Sequence, residues 1–355
     1  MSYRYAIEIL TPDGQALGRV AATPDWAAAL EWVRFEGIRA GRFPPVTAAV
    51  RGEVEPVWDG RTGPPYVTAF RAVVGGDEEV AREIPKHYFR DLAQEAAAGL
   101  VERGVLEAGD AFRWVVSAFP AAGPLVVATA ESANDPFRIQ AVERPLPLDD
   151  APLGAFLERA VAVDADEAAG GVPVFVPGHI LDEAVARARA AGDVETGGVL
   201  VGSLHRDGAA PAGETPALFV EVTAQVPALH TVSASTKLTF TADTWAAVHA
   251  AIALRRRDET ILGWWHAHPD FCRLRGCPPE RRATCVVSSP FLSAEDVHLT
   301  ATCFPSAHHL ALLVSDNTAS GMTCSLFGWW QGMVGRRGFH ILKGATHAAH
   351  TPAGS

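Results

Sequence analysis

Two histidines, His266 and His268, stand two positions apart in the apolar stretch Gly263–Pro269. Alternate side chains of a β-strand point to one face, so both imidazoles can reach a single metal ion. The same pattern also suits two polar residues at the end of a strand. A metal site is therefore indicated only if other segments of the chain supply further ligands.

A predicted helix start supplies one of them. Ser293 precedes Asp296 by three residues, which is the spacing of a capping box at the first turn of a helix. Residues three apart at a helix start also share one face, so Asp296 can offer an oxygen ligand beside the Ser293 hydroxyl. Two histidines, an aspartate and one open position make a hydrolytic zinc site, because the open position holds water.

A hydrolytic zinc site also needs a base that takes a proton and passes it to the leaving amine. Glu195 is a candidate because it stands directly before the glycine-flanked apolar segment Gly197–Gly202. A glutamate that follows a helix is more commonly a solvated surface acid. Only its position before this segment favours Glu195 as the base.

Length and composition describe an ordinary globular protein. The chain has 355 residues, enough for two domains, with 48% apolar and 20% charged residues. The formal charge of −11 argues against a nucleic-acid partner, which would favour a basic protein. The chain has no apolar run of the roughly 18 residues that a membrane helix needs, and its N-terminus lacks the layout of a signal peptide. We therefore expect a cytoplasmic protein with no membrane partner.

Four segments follow one another along the chain. Residues 1–142 alternate strand-like and helix-like patterns and predict a separate N-terminal α+β domain of unknown role. Residues 143–171 are rich in proline and acids and predict a linker, with a short helix around Leu153–Val161. Residues 172–343 carry all the residues discussed above, and residues 344–355 predict a disordered tail.

Apolar periodicity places the key residues on particular elements. The segment Ile261–His268 predicts a buried strand that carries both histidines. A helix that begins after Pro177-Gly178, with Ile180 to Ala188 on its apolar face, is predicted to end near Gly192, shortly before Glu195. The other predicted strands are Tyr3–Leu10, Ala16–Ala22, Val46–Val57, Tyr66–Val74, Ala111–Phe119, Leu125–Thr129, Val172–Val176, Gly197–Gly202, Leu218–Val226, Lys237–Phe240, Leu310–Ser315, Met322–Trp330 and Phe339–Leu342. The other predicted helices are one that carries Trp26, Leu30 and Val33 and stops at Gly37 or Gly41, one with Pro85 in its first turn that ends at Gly104, and Thr241–Arg257.

Together, these segments resemble the JAB/MPN (JAMM) metalloprotease family. The matching residues are Glu195 in Glu-Thr-Gly-Gly-Val-Leu-Val-Gly, His266 and His268 in Gly-Trp-Trp-His-Ala-His-Pro, and Ser293 and Asp296 in Ser-Ala-Glu-Asp. The resemblance covers about residues 172–343. It implies an α/β fold of the mixed α+β kind, in which a JAB/MPN-like (cytidine-deaminase-like) sheet is flanked by helices. An abundance of alanine and arginine, typical of G+C-rich genomes, favours a bacterial member of the family.

The resemblance also implies an activity. It implies a Zn²⁺-dependent isopeptidase or peptidase that cuts after the C-terminus of a ubiquitin-like protein, in deconjugation or precursor processing. The implied partners are that protein or its conjugate, with activating and conjugating enzymes of the same pathway. The zinc ligands it implies are His266, His268 and Asp296. Glu195 would serve as general base and then acid, and Ser293 would help to hold the oxyanion.

The loop after the second histidine departs from the family pattern. Residues 269–292, 24 in all, separate His268 from Ser293, where the family has a much shorter spacing. Residues 270–289 form an insert that is rich in cysteine and arginine, and such insertions hold a second, structural zinc in some relatives. The implied ligands are Cys272, Cys277 and Cys285, with Cys303, His298 or another histidine as the fourth. A flexible flap with incidental cysteines is the alternative. The odd number of cysteines, five, argues against a disulfide framework.

Two other functions fit the same residues. One is a catalytically silent MPN-type interaction scaffold, in which the insert covers the site or zinc binds weakly. The other is a JAMM hydrolase that acts on a sulfur-carrier protein or a peptide. Zinc content and the effect of Glu195→Gln on processing of ubiquitin-like substrates separate the enzyme from the scaffold.

Overall fold

The computed structural model describes residues 3–47, 50–61, 65–75, 78–121, 144–164, 171–211, 213–228, 231–234, 237–282, 285, 289–317 and 321–343. Helices and sheets occur together, which confirms the predicted mixed α+β class. The chain divides into two compact units, Met1–Pro145 with Gln331–Met333 and Leu146–Trp330 with Val334–Ser355. The predicted strand Leu125–Thr129 and the predicted tail 344–355 lie outside the described residues.

The first unit combines antiparallel sheets with helices. Strands β2, β1 and β7 form one sheet, β4, β5 and β6 form another, and β3 pairs with β8. The elements are β1 (Tyr3–Leu10), β2 (Ala16–Ala22), α1 (Ala27–Arg39), β3 (Val46–Thr47), β4 (Gly52–Trp58), β5 (Val67–Gly75), β6 (Glu79–Pro85), a 3₁₀ turn (Lys86–Phe89), α2 (Arg90–Glu102), β7 (Arg113–Pro120) and β8 (Arg144–Pro145).

An aromatic cluster forms part of the core of this unit. Alternate residues of β1 are buried, as the period of a half-buried strand requires. Among them, the Tyr5 ring lies 5.7 Å from Phe70 on β5 and 5.5 Å from Phe89, which ends the 3₁₀ turn. The cluster therefore joins the two sheets to the start of α2.

The second unit is built on one large sheet. Its strand order is β10-β20-β11-β13-β12-β16-β17-β18-β19, and β9 also pairs with β12. The elements are β9 (Leu148–Ala151), α3 (Leu153–Glu158), β10 (Ala160–Val163), β11 (Val174–Pro177), α4 (Gly178–Ala191), β12 (Gly197–Asp207), β13 (Leu218–Pro227), β14 (Thr231–Ala234), β15 (Lys237–Phe240), α5 (Ala242–Arg255), β16 (Thr260–His268), α6 (Phe271–Leu274), α7 (Pro279–Arg282), α8 (Ala294–Cys303), β17 (Leu310–Asn317), β18 (Gly321–Trp330), β19 (Met333–Arg337) and β20 (Phe339–Leu342). Of the helices in the described parts of the chain, none has the length and apolar character to cross a membrane.

Much of the segment predicted as a linker belongs to this sheet. Strand β9 pairs with β12 and strand β10 with β20, while Phe156 of α3 packs against Phe175 and Phe219. Backbone hydrogen bonds do not depend on side-chain polarity, so acidic residues can form strands wherever a neighbouring strand offers its edge. Composition therefore concealed these elements. Residues 165–170 of the segment lie outside the described part.

Strand β16 is buried on both faces and carries the two histidines. It runs antiparallel to β12 and parallel to β17. A bulge lies where Gly263 pairs with Leu200, and Gly263 has a φ of +145°. A Cβ at Gly263 would lie 1.9 Å from the Leu310 carbonyl oxygen, so only glycine fits there. This bulge precedes the Trp264–His268 segment and sets its register in the sheet.

Candidate metal centre

Three side chains meet where β16 ends and α8 begins. The Nε2 atoms of His266 and His268 are 3.0 Å apart, and each lies 3.4 Å from Oδ2 of Asp296. All three residues are buried, and we refer to them as the His–His–Asp centre. The predicted ligands are thus brought together by strand alternation and by the first turn of α8.

The donor atoms of this centre fit one tetrahedral metal ion. With zinc–ligand bonds of about 2.0–2.1 Å, neighbouring donors of a tetrahedral site are about 3.3 Å apart. The observed separations of 3.0 and 3.4 Å bracket that value. Two imidazole nitrogens and a carboxylate oxygen are ligands that zinc accepts. The arrangement can therefore hold a zinc ion with a fourth position left for water or substrate.

Asp296 is held by the start of its own helix. The Ser293 backbone N–H donates to Oδ2 of Asp296 at 2.7 Å, and the Asp296 N–H donates to Oγ of Ser293 at 3.1 Å, so the predicted capping box is present. Burial opposes ionisation of Asp296, but hydrogen bonds from His266, His268 and the Ser293 backbone outweigh it and hold its pKa below the usual range. The carboxylate therefore stays charged and points its shared oxygen at the histidines.

Trp264 connects two of the three ligands. Its indole stacks on the His266 ring with centroids 4.3 Å apart and planes 10° apart. Its Nε1–H donates to the Thr300 hydroxyl at 3.1 Å, and that hydroxyl donates to the Asp296 carbonyl at 2.8 Å. One side chain thus fixes the imidazole of β16 and the first turns of α8 relative to each other. Thr300 was not predicted as part of the site, because nothing in its spacing shows that it faces Trp264.

Glu195 lies beside the centre, but it is not one of the three grouped ligands. Gly197 pairs with His266, and the Ala267 N–H donates to the Thr196 carbonyl at 2.8 Å. That register places the Glu195 backbone across from His268. The Glu195 side chain is buried. Burial first, and then the negative charges of Asp296 and Glu295, raise its pKa from 4.5 to about 8. A carboxyl of this kind can take up and return a proton near neutral pH.

Both ends of the loop between His268 and Ser293 contact the same ligand. Phe271 follows the turn after β16, and its ring lies 5.2 Å from the His268 ring. Phe291 precedes the cap of α8, and its ring lies 5.3 Å from the His268 ring. The two phenyl rings are 6.2 Å apart. This loop therefore starts and finishes beside His268, which explains how Ser293 and Asp296 reach the centre despite the extra residues.

Three of the four cysteines named as possible zinc ligands come together in the insert. The sulfur atoms of Cys272, Cys277 and Cys285 all lie within 4.8 Å of one another, and we call them the thiol cluster. Cys272 is buried, and the other two are partly exposed. Burial, with hydrogen bonds to the other two thiols, raises the pKa of Cys272 to about 12. The Cys272 thiol therefore keeps its proton when no ion is bound.

Cys303 does not join the thiol cluster. It is the last residue of α8 and is exposed, because the helix that carries Asp296 holds it ten residues along the chain from the cap at Ser293. His298 is an exposed residue of the same helix. Within the described residues, the thiol cluster contains three sulfur ligands and no fourth protein ligand.

Comparisons with known proteins add little to this geometry. The sequence matches no family model and no curated protein. A solved structure, the solution structure of protein DSY2949 from Desulfitobacterium hafniense, aligns at 22% identity with a TM-score of 0.33. The alignment covers 50% of this chain and 99% of that chain. The likeness is too loose to assign a fold or a family.

Proposed function

We propose that the chain is a JAMM-type zinc metalloprotease with a JAB/MPN-like second unit. Its reaction would be hydrolysis of the peptide or isopeptide bond that follows the C-terminus of a ubiquitin-like protein. The observation that carries the proposal is the His–His–Asp centre, whose donor separations suit one tetrahedral ion, with the buried acid Glu195 beside it. A structural metal site would need neither an open ligand position nor a neighbouring base.

The residues of the centre divide the work of such a reaction. His266, His268 and Asp296 would hold the zinc, which when bound supplies an acidified water and a Lewis acid for the scissile carbonyl. Glu195 would take a proton on its carboxylate and return it to the leaving amine. Its buried position suits this role, because a buried carboxyl accepts a proton more readily than a solvated one.

Ser293 would act on the oxyanion that develops at the carbonyl. Its Oγ accepts the cap hydrogen bond from the Asp296 N–H, so its own O–H hydrogen can serve as a donor in the proposed role. Its position is fixed by the capping box, and a donor that needs no reorganisation stabilises developing charge best. The same hydroxyl would thus act both as an acceptor for the helix and as a donor for the substrate.

The proposed partners follow from the proposed activity. They are a ubiquitin-like protein or its conjugate, together with activating and conjugating enzymes of a bacterial pathway. The five cysteines are all free thiols, which agrees with a reducing compartment such as the cytoplasm.

The test compares wild type with Glu195→Gln, using ubiquitin-like proteins that carry a C-terminal extension or an isopeptide-linked lysine. We expect both proteins to bind one zinc ion at the centre, and the variant to cleave at least about 100-fold more slowly, as loss of a general base predicts. Asp243→Asn, which removes an exposed acid from the first turn of α5 in the same unit, is the matched control and should keep its activity.

Three results would count against this function. If wild type and Glu195→Gln process every candidate equally, cleavage does not depend on the proposed base. If zinc binds and no substrate is cut, the silent scaffold is the better description. Cleavage confined to sulfur-carrier proteins or short peptides would keep the zinc hydrolase and replace the substrate class.

A further inference from the structure

The local backbone of the insert is arranged to bring its thiols together. After α6, Gly276 has a φ of +67°, and the Cys277 N–H donates back to the Cys272 carbonyl at 2.8 Å. Arg282 on α7 then donates from Nε to the Cys277 carbonyl at 3.0 Å. The Cys285 N–H in turn donates to the Arg282 carbonyl at 3.4 Å. Cys272 and Cys277 are thus linked by a backbone hydrogen bond, and Cys277 and Cys285 are linked through Arg282.

Three consecutive residues of α6 have three different contacts. Phe271 packs on the ligand His268, Cys272 belongs to the thiol cluster, and Arg273 forms an ion pair with Asp193. Asp193 stands two residues before Glu195, on the turn between α4 and β12. The exposed ion pair contributes little to stability, but the Phe271 contact is packed directly against the centre. The position of α6 therefore bears on a metal ligand and on the loop of the proposed base.

Helix α6 has little stability of its own. It is four residues long, and a helix of one turn does not persist without support. Its support includes the Asp270 side chain, which caps it by accepting from the Arg273 N–H at 2.9 Å, and the thiol cluster. Neutral thiols make weak hydrogen bonds, whereas thiolates on a metal ion make strong cross-links.

We propose that the thiol cluster binds a Zn²⁺ ion and that this ion strengthens metal binding at the His–His–Asp centre by fixing α6. Each cysteine that ligates the ion releases its proton to solvent, and water or an external ligand takes the fourth position. The inference rests on the proposed function, because it concerns regulation of the same centre. Coupling of this kind is reciprocal, so an ion at the centre also tightens binding at the cluster.

The test uses the full-length protein, stripped of metal and titrated with Co²⁺ as a spectroscopic substitute for zinc. Thiolate ligands give cobalt an intense near-ultraviolet absorption that histidine and aspartate ligands do not give, so the two sites are read separately. We expect two ions per chain in wild type and one in the double variant Cys277→Ser/Cys285→Ser. In that variant the affinity of the centre should fall about tenfold, a typical coupling between two sites. Cys303→Ser, outside the cluster, should match wild type.

A second variant separates the coupling from the cluster itself. Phe271→Ala keeps all three thiols and should retain the thiolate absorption, while the affinity of the centre falls by a similar factor. If circular dichroism shows that the double cysteine variant is unfolded, the metal affinity of Phe271→Ala at the centre still tests the coupling.

The inference is overturned if wild type shows no thiolate absorption, or if the affinity of the centre is the same in wild type and Phe271→Ala. These readouts are independent of hydrolysis. A protein that binds two coupled ions and cuts no substrate would refute the proposed function alone. An active protein whose metal affinity at the centre does not change with the thiol cluster would refute the coupling alone.

Discussion

The two candidate metal sites of this protein are built in opposite ways. The ligands of the His–His–Asp centre come from a buried strand with neighbours on both sides and from a ten-residue helix with a capping box. The thiol cluster sits on two four-residue helices and the turns around them. The fold itself positions the first set of ligands, whereas the second set rests on short elements that the proposed ion would fix in place.

The two sites also differ in whether their ligands are ionised before a metal ion binds. Asp296 is already ionised and pointed at the histidines, so the centre is ready to receive a cation. The pKa of Cys272 is raised to about 12, so an ion at the cluster must displace protons as it binds. Metal binding should therefore be more dependent on pH at the thiol cluster than at the centre.

The largest effect should come from removing a ligand that the fold positions. Asp296→Asn loses the carboxylate charge at the centre and weakens the cap of α8. We expect metal affinity at the centre to fall by more than about 100-fold, because changes outside the ligand shell already cost roughly 10–100-fold. Competition with a chelator measures it, and Glu295→Gln controls for general loss of negative charge. An unchanged affinity would mean that Asp296 is not a ligand.

The second prediction concerns the pH dependence of stability in the metal-free protein. The pKa of Glu195 is raised to about 8 in the folded state, against 4.5 when unfolded. The folded protein therefore holds a proton that the unfolded chain has released. The contribution of Glu195 to the free energy of unfolding is fully present below pH 4.5 and is lost as pH rises through about 8. Glu195→Gln should grow more stable relative to wild type over that window.

Urea unfolding at a series of pH values, with a chelator present, measures this difference. The pKa of His266 is lowered by burial, and its titration is present in both proteins, so it cancels from the comparison. Parallel stability curves for wild type and Glu195→Gln would show that Glu195 is solvated like an ordinary surface acid.

A third prediction tests whether the rigid support of the centre matters to its ligands. Trp264→Phe keeps a stacked ring on His266 and deletes the indole N–H that holds Thr300. We expect metal affinity at the centre to fall about tenfold, as for other supporting residues of metal ligands. Thr300→Val should have the same effect.

Trp265→Phe is the matched control for this prediction. Trp265 is equally buried, and its indole N–H donates to Gln225 on the other face of β16 at 3.1 Å. It should lose similar stability and keep normal affinity. Equal losses of affinity at Trp264 and Trp265 would show that the effect is general loosening of the strand.

The smallest effect should come from the insert. Gly276→Ala places an alanine at positive φ with no atom nearby, which costs about 1 kcal/mol of conformational strain. Gly104→Ala, at the end of α2, has the same strain and open space in the first unit. We expect equal losses of thermal stability, and a several-fold weaker affinity at the thiol cluster for Gly276→Ala alone. Equal cluster affinities would contradict the proposed role of this turn.

The ligand set was the most predictable part of the site. Strand alternation places His266 and His268 on one face, and helix spacing places Ser293 beside Asp296, so local geometry alone brings each pair together. The contacts of Trp264 with Thr300, and of Phe271 and Phe291 with His268, join distant elements. No local period of the sequence records which element a side chain will face across the core.

The fold was predictable where apolar residues follow a clear period, as in β1, β16 and α4. Strand β6 was missed because Arg82 stands between the buried residues Val80 and Ile84 on the same face, which interrupts the apolar alternation of a strand. The strands of segment 143–171 were missed because acidic residues conceal backbone pairing. Cys303 was grouped with the other cysteines by number alone, and the length of α8 keeps it away from them.

The facing rings of Phe271 and Phe291 have a consequence for protein engineering. Because they lie 6.2 Å apart, the loop between His268 and Ser293 begins and ends at almost the same place. Closing a longer loop between such fixed ends costs little additional entropy, since that cost grows only with the logarithm of loop length. The position is therefore a natural graft point, where a binding peptide or a reporter domain can replace the residues between Phe271 and Phe291 at the expense of the thiol cluster.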